Sequence, residues 1–325
     1  MKKTVSYILF FGLAAVLLWF SFREVKWIDF QEGLRTTNYY WILLSMALGA
    51  YSSWIRGVRW RLLIRGAGHE VRKGNAFDAV NIAYLTNFAL PRAGEVARCG
   101  VLTKTAGIPF DALLGTVVLE RSFDFLCLMM TTLLVVVLQW SVFGVFMEQQ
   151  LWTPFMETCN GNIYYLSLIL LAITVVFVLF VVYYRRLYKF LFFKKIFDLV
   201  AGVFHSLKSS IKMERKGLFL FYTLVLWLLY WGTGWCTVLA FPAAGHLSMM
   251  DALFLMVVGS LGWLVPVQGG IGAFHFIVSL ALVSVYGISQ TQSLVFATIS
   301  HESQALIMIV FGVFSVIRVG LNKKR

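Results

Sequence analysis

Six ionisable side chains gather in two short stretches of an otherwise apolar chain: Arg92, Glu95 and Arg98 in "NFALPRAGEVARCG", and Glu120, Arg121 and Asp124 in "VVLERSFD". A guanidinium presents a planar fork of donors that matches a phosphate or a carboxylate, and a carboxylate can neutralise that fork or accept a proton. The mixture suits an anionic headgroup held by arginines, a proton path, or an ion-pair lock between helices. Arg121 and Asp124 are three apart and can pair on one helix. Glu120 then needs another partner, for which Arg92 and Arg98 are the candidates. His301 and Glu302 in "TISHESQ" and His275 in "GAFHF" form a secondary polar set, suited to a proton-linked role or to plain polar contact. Arg56 and Arg59 read as interfacial anchors. Adjacent His and Glu lack the spacing of an H-E-x-x-H site, and Cys99, Cys127, Cys159 and Cys236 show no C-x-x-C pair. No metal, no disulfide framework and no cofactor is therefore expected.

These charges matter because of the solvent the chain implies. It has 325 residues, 60% hydrophobic and 13% charged, with mean hydropathy +0.80, the composition of an integral membrane protein. A crossing needs about 20 apolar residues. Runs of that kind cover 4–22, 39–58, 111–140, 163–184, 218–241 and 291–317, giving six full spans in an all-α, polytopic fold. Lys2 and Lys3 precede the first run, but no small-residue cleavage site follows it, so it reads as a retained helix. Two further apolar regions, 75–103 and 251–287, are broken near the middle by Pro and Gly. At the bilayer centre each charge costs about 2.5–3.5 kcal/mol, so Glu120, Arg121 and Asp124 require pairing or water.

Basic residues mark the cytoplasmic side. They lie at Lys2 and Lys3, between Arg56 and Lys73, in nine positions from Arg185 to Lys216, and from Arg318 to the end, whereas 141–162 and 242–250 contain neither Lys nor Arg. Those two loops are placed outside and both termini inside. Parity then requires 75–103 to enter and return on the inner side and 251–287 on the outer side, as re-entrant hairpins. Most arms are short for a crossing, although 269–287 alone has the length; an eight-crossing arrangement, with Arg92 and Glu95 near the outer surface, is the rival. The segment after Arg185 mixes basic and aromatic residues and suits an amphipathic helix on anionic lipid rather than nucleic-acid binding.

The two broken regions align as "LPRAGEVARCG" and "VPVQGGIGAFH", pairing Pro91 with Pro266 and Gly94 with Gly269. Each leads to a long span with polar residues about ten positions in. Paired Pro/Gly interruptions in inverted halves point to a ligand site near the midplane, because broken backbone at membrane depth needs a polar cavity or a ligand. Pro91 stops one half-helix and Gly94 relaxes the turn. A second half-helix from about Glu95 would aim its amide-rich end inward, with Arg92 as a phosphate ligand at the tip. Gly269, Gly270 and Gly272 fit close backbone approach or helix packing. The expected organisation is one membrane domain: a first span and outer loop (1–38), a first half with hairpin 75–103 (39–162), a linking span and basic segment (163–217), and a second half with hairpin 251–287 (218–325).

"NFALPRAGEVARCGVL", "GTVVLERSFD" and "VPVQGGIGAF" resemble the lysylphosphatidylglycerol synthase transmembrane, or flippase-like, family over nearly the whole chain. The resemblance implies a multi-pass protein of the bacterial or archaeal inner membrane whose better-known members move aminoacylated phosphatidylglycerol between leaflets or act in lipid and glycolipid pathways. It also carries over Arg92, Glu95, Arg98, Glu120, Arg121 and Asp124. Members often have Glu after the glycine hairpin where this chain has His275. The chain ends shortly after the last span, so no aminoacyl-transferring domain and no enzymatic activity are expected. The function expected is translocation of an anionic or aminoacylated phospholipid, or of a lipid-linked glycan, with membrane phospholipids as partners and a lipid-synthesis enzyme as a further one. An intramembrane transferase using Glu95 or Glu120 as base, or a non-transporting lipid-binding subunit, are the alternatives.

Overall fold

In a medium without water every backbone amide must find its partner within the chain, and a helix does so locally. The computed structural model describes residues 2–23, 25–158 and 215–322, with isolated positions between 167 and 175, and no strand occurs among them. Apart from those isolated positions, the expected span 163–184 lies outside the described residues, as do the basic segment 185–214 and Cys159.

The first half consists of α1 (Lys2–Phe22), α2 (Trp27–Thr36), α3 (Tyr39–Gly66), α4 (Lys73–Ala89), α5 (Gly94–Ala106) and α6 (Phe110–Leu138). Next come α7 (Trp140–Met147), a π turn (Glu148–Trp152) and α8 (Thr153–Thr158), so the expected outer loop 141–162 is helical over most of its length. The loop expected after the first span likewise contains α2, which buries Phe30 and Gly33. After the linking region come α9 (Lys216–Ala240), α10 (Met249–Leu264), a 3-10 turn (Gln268–Gly270), α11 (Ala273–Tyr286) and α12 (Gln290–Asn322). Among the described residues four stretches are long and apolar enough to cross a membrane: α6, α9, Gln268–Tyr286 and Gln290–Leu321. The third is interrupted at Ile271 and Gly272, so its continuous helix is the 14-residue α11 and not the full 269–287 that could have spanned alone. α3 has 28 residues, but Arg56, Arg59, Arg61 and Arg65 depress its hydropathy.

Residues 39–138 and 216–322 repeat one pattern of long, short, short, long. At about 1.5 Å per residue, the 28- and 29-residue helices α3 and α6 reach about 42 Å, whereas the 17- and 13-residue α4 and α5 reach about 25 and 20 Å. In the second half α10 and α11 have 16 and 14 residues between the longer α9 and α12. Both short pairs fold into helical hairpins, with the first slightly longer than expected, 73–106.

The same sequence device ends each second arm: Gly107 and Gly287 take left-handed φ of +67° and +65° as C-caps, followed by the buried Ile108 and Ile288. Each first arm is also tethered near its start. Asp78 of α4 receives Arg318 Nε of α12 at 2.7 Å. Asp251 of α10 closes a capping box with Ser248 and accepts from Gln139 and Tyr286 at 2.9 and 3.0 Å.

The breaks between arms are built differently. Leu90 and Val265 precede the prolines in extended conformations, as proline requires of its predecessor. In the first break the left-handed residue is Arg92, at φ +62°, and not a glycine. Gly94 does not relax this turn by a positive φ; it opens α5, and a Cβ there would collide with the Ala83 carbonyl and the Asn87 side chain. In the second break Gly269, Gly270 and Gly272 all have positive φ, from +56° to +81°. A Cβ on Gly269 would overlap the Phe88 ring of the first hairpin, and one on Gly272 would meet the Ala14 carbonyl of α1 at 2.7 Å. The glycines therefore let the two hairpins and α1 pack closely.

Gly269→Ala combines a left-handed backbone with this overlap, so it should destabilise the protein by more than about 1 kcal/mol. Phe88→Ala in the same chain should recover part of the loss. Thermal unfolding of detergent-purified protein checks both.

Candidate functional site

Residues three or four apart share a helix face, and this periodicity assembles the charged site. Arg56 and Arg59 project from one face of α3, and Glu120 and Asp124 from the facing side of α6. Glu120 is fully buried. Its Oε1 accepts from Arg56 Nε at 3.1 Å, Arg59 Nη2 at 3.0 Å and Arg121 Nη2 at 3.3 Å, and its Oε2 from Arg98 Nη1 of α5 at 2.6 Å. Asp124 Oδ2 accepts from Arg56 Nη2 at 3.1 Å and lies 3.0 Å from Arg121 Nη2, while Oδ1 lies 2.7 Å from Arg59 Nη2. Of the two partners anticipated for Glu120, Arg98 is the one that reaches it.

Aromatic and hydroxyl groups complete the frame. Arg56 Nη1 donates to the Tyr84 and Tyr230 hydroxyls at 3.1 and 3.3 Å. The Arg98 guanidinium lies 4.5 Å from the centre of the Trp60 ring, and Trp60 Nε1 donates to Thr116 Oγ1 at 2.9 Å. Cation–π contact of this kind strengthens when water is excluded, and Trp60 is fully buried. The cluster thereby joins α3, α4, α5, α6 and α9.

Arg56 and Arg59 are not interfacial anchors: they are 8% and 0% exposed. A sequence signal for this was present, since two like-charged residues at i, i+3 on one long apolar helix complement two of opposite sign at i, i+4 on another.

A cavity of about 590 Å³ lies against this cluster and is bounded by both hairpin breaks. Pro91, Arg92, Glu95 and Arg98 line it from the first hairpin, and Pro266, Gly269 and Gly270 from the second. Arg56, Arg121 and Asp124 also face it, whereas Arg59 and Glu120 sit behind the wall and offset each other. Four guanidinium groups against the carboxylates of Glu95 and Asp124 leave the wall with two excess positive charges. Arg98 Nη2 and Arg121 Nε are buried with no hydrogen-bond partner among the described residues.

At the tip, Arg92 Nη2 donates to the Leu264 carbonyl at 2.6 Å, the last helical carbonyl of α10. Through this one donor it bridges the hairpins while its side chain still lines the cavity. The α5 N-terminus is partly occupied too, because Gly94 N donates to Asn87 Oδ1 at 2.8 Å. Glu95 lines the cavity with no hydrogen-bond or ion-pair partner among the described residues.

The secondary polar set comes together despite its spacing. His275 of α11 reaches the α12 pair, its Nε2 3.6 Å from Glu302 Oε1, while His301 Nδ1 lies 2.9 Å from the same oxygen. His301 and Glu302 were set aside as a metal pair on sequence spacing; the fold supplies His275 as a third group. His301 lines the main cavity, whereas His275 and Glu302 line a separate shallow pocket of about 410 Å³ beside α1.

Removing one partner from a buried ion cluster strands the others, at about 3–5 kcal/mol. Glu120→Gln should therefore cost far more stability than Arg121→Gln, whose side chain is 40% exposed. Thermal melts of the two variants in nanodiscs give the ordering.

The family model for the lysylphosphatidylglycerol synthase TM region matches residues 7–312. Neither a curated protein nor a solved structure matches the chain.

Proposed function

The chain belongs to the lysylphosphatidylglycerol synthase TM-region family, and from that premise we propose that it is a lipid translocator. In this reading the anionic headgroup of a phospholipid, bare or aminoacylated, or of a lipid-linked glycan, occupies the cavity between the hairpins while its acyl chains remain in the bilayer. The observation that carries the reading is the cavity wall with its two excess positive charges. A phosphodiester headgroup would offset one of them, and Arg98 Nη2 and Arg121 Nε offer it unused donors. Fixed carboxylates hold the guanidinium groups in place, so little ordering cost falls on the ligand.

Arm lengths support re-entrant hairpins. Every arm is shorter than the hydrocarbon core of about 30 Å, at 13 to 17 residues. In this arrangement α4 and α5 enter from the basic, cytoplasmic side of an inner membrane and α10 and α11 from the other. The breaks, whose backbone groups lipid cannot satisfy, then meet in the cavity.

We further read the protein as non-enzymatic. Both oxygens of Glu120 already accept from guanidinium groups, which leaves it no free face as a base, and only Glu95 would serve a transferase. A partner enzyme that makes the lipid fits the same reading.

Reconstituted vesicles test it with fluorescent phosphatidylglycerol and phosphatidylcholine. Movement of the anionic lipid should exceed that of the zwitterionic one, and Arg98→Ala or Arg121→Gln should reduce it at least about tenfold, the effect of losing about 1.4 kcal/mol of binding. Equal movement of both lipids, or none, would sink the proposal, and a donor-dependent change in lipid mass would favour the transferase.

A further inference from the structure

A hydrogen-bonding conflict at His301 calls for a cation. Its Nε2 faces the Gly269 carbonyl at 2.8 Å, so this nitrogen carries the proton and donates. The neutral ring then presents the Nδ1 lone pair to Glu302 Oε1 at 2.9 Å, lone pair against carboxylate. Something positive must lie between or beside them. A proton would satisfy this pair alone, leaving His275 Nε2 3.6 Å from the same oxygen, beyond hydrogen-bond reach. A metal ion would satisfy all three.

We propose that His275 Nε2, His301 Nδ1 and Glu302 Oε1 form a binding site for a divalent transition metal of the zinc type. One ligand atom from each of the three residues lies within 4.8 Å of those from the other two. Bonds of about 2.0–2.1 Å in tetrahedral geometry place ligand atoms about 3.3 Å apart, and the two distances above bracket that value. Two imidazoles and one carboxylate select zinc, cobalt or nickel over magnesium or calcium, which prefer all-oxygen shells. The supporting shell of His301 is already formed. Donation from Nε2 to Gly269 fixes the His301 tautomer, as a backbone carbonyl commonly does for a ligating histidine. Trp263 and Phe274 hold the ring on two sides, with centroids 5.4 and 5.3 Å away. With Nε2 as the ligand the proton of His275 sits on Nδ1, which is buried and has no hydrogen-bond partner among the described residues, so this ring is oriented by packing and by the metal alone. Glu302, 51% exposed, can adjust to close the tripod, and the fourth position opens on the pocket lined by Leu18 and Trp19 of α1. The site would clamp α11 to α12 beside the second break and, through Gly269, set the backbone that receives Phe88 of the first hairpin.

The test uses full-length protein in nanodiscs, stripped with chelator and desalted, then exposed to Zn2+ or Co2+. Wild type should retain one Zn2+ per chain by elemental analysis, and Co2+ should give the visible absorption of a low-coordinate nitrogen and oxygen site. His275→Ala and His301→Ala should each weaken binding at least about tenfold, whereas His69→Ala and His246→Ala should not. Should a histidine variant fail to fold, Glu302→Gln serves instead, with affinity falling while the metal-free Tm stays that of wild type. Zn2+ absent from wild type, or retained equally by the His275→Ala/His301→Ala double variant, overturns the site. Because the readout is metal content, it stands apart from any lipid-transport result.

Discussion

A fully buried carboxylate is the constraint on which the first half of the molecule turns. Glu120 has no access to water, and an unpaired charge in such surroundings costs several kcal/mol. Its two oxygens therefore gather four guanidinium groups, and those groups come from three helices, α3, α5 and α6. The long helices cannot slide and the second arm of the first hairpin cannot swing without exposing that charge. Tyr84 and Tyr230 extend the constraint to α4 and α9 through Arg56. A pure ion-pair lock would need only as many arginines as carboxylates. The surplus faces the cavity, so the same residues hold the scaffold and supply the charge that a ligand would meet.

The second half uses the same backbone plan with opposite chemistry. Gly107 and Ile108 correspond to Gly287 and Ile288, and counting on from each pair brings Arg121 opposite His301 and Ser122 opposite Glu302. Where the first half builds its wall from charge, the second builds it from glycine, aromatic rings and imidazole. The glycines admit Phe88 and α1 to the break, an approach that bulkier residues forbid. One half therefore holds the excess charge and the other provides close packing, which explains how a repeated frame yields a cavity with one charged side.

Much of this was legible in the sequence because hydrophobic run length and proline position are local properties. The long helices, both breaks and the Arg121–Asp124 pair follow from them. The partners of Glu120 were only half legible: Arg98 lies on the adjoining hairpin, whereas Arg56 and Arg59 are some sixty positions away in sequence, and no periodicity within α3 says which helix it will face. The histidine cluster failed for the same reason, since His275 and His301 meet only when α11 folds back on α12. Gly94 was misread for a different one. Its need for glycine comes from a neighbour, Ala83, rather than from its own torsion angles.

Arg92 shows how the two hairpins bear on each other. A residue other than glycine in the left-handed region costs about 1–2 kcal/mol and persists where surrounding structure holds it there. The holding contact is its bond to the Leu264 carbonyl, one of the acceptors that the end of α10 leaves without an intrahelical donor. The tip of one hairpin thus caps a helix of the other, with a cationic group at the negative end of the helix dipole. This bond lies at an exposed position, where water competes, so its strength is modest compared with the buried Glu120 cluster. The rigid charged wall and the weaker bridge between tips therefore sit on the same hairpin, and any separation of the two breaks would part the bridge well before it disturbed the wall.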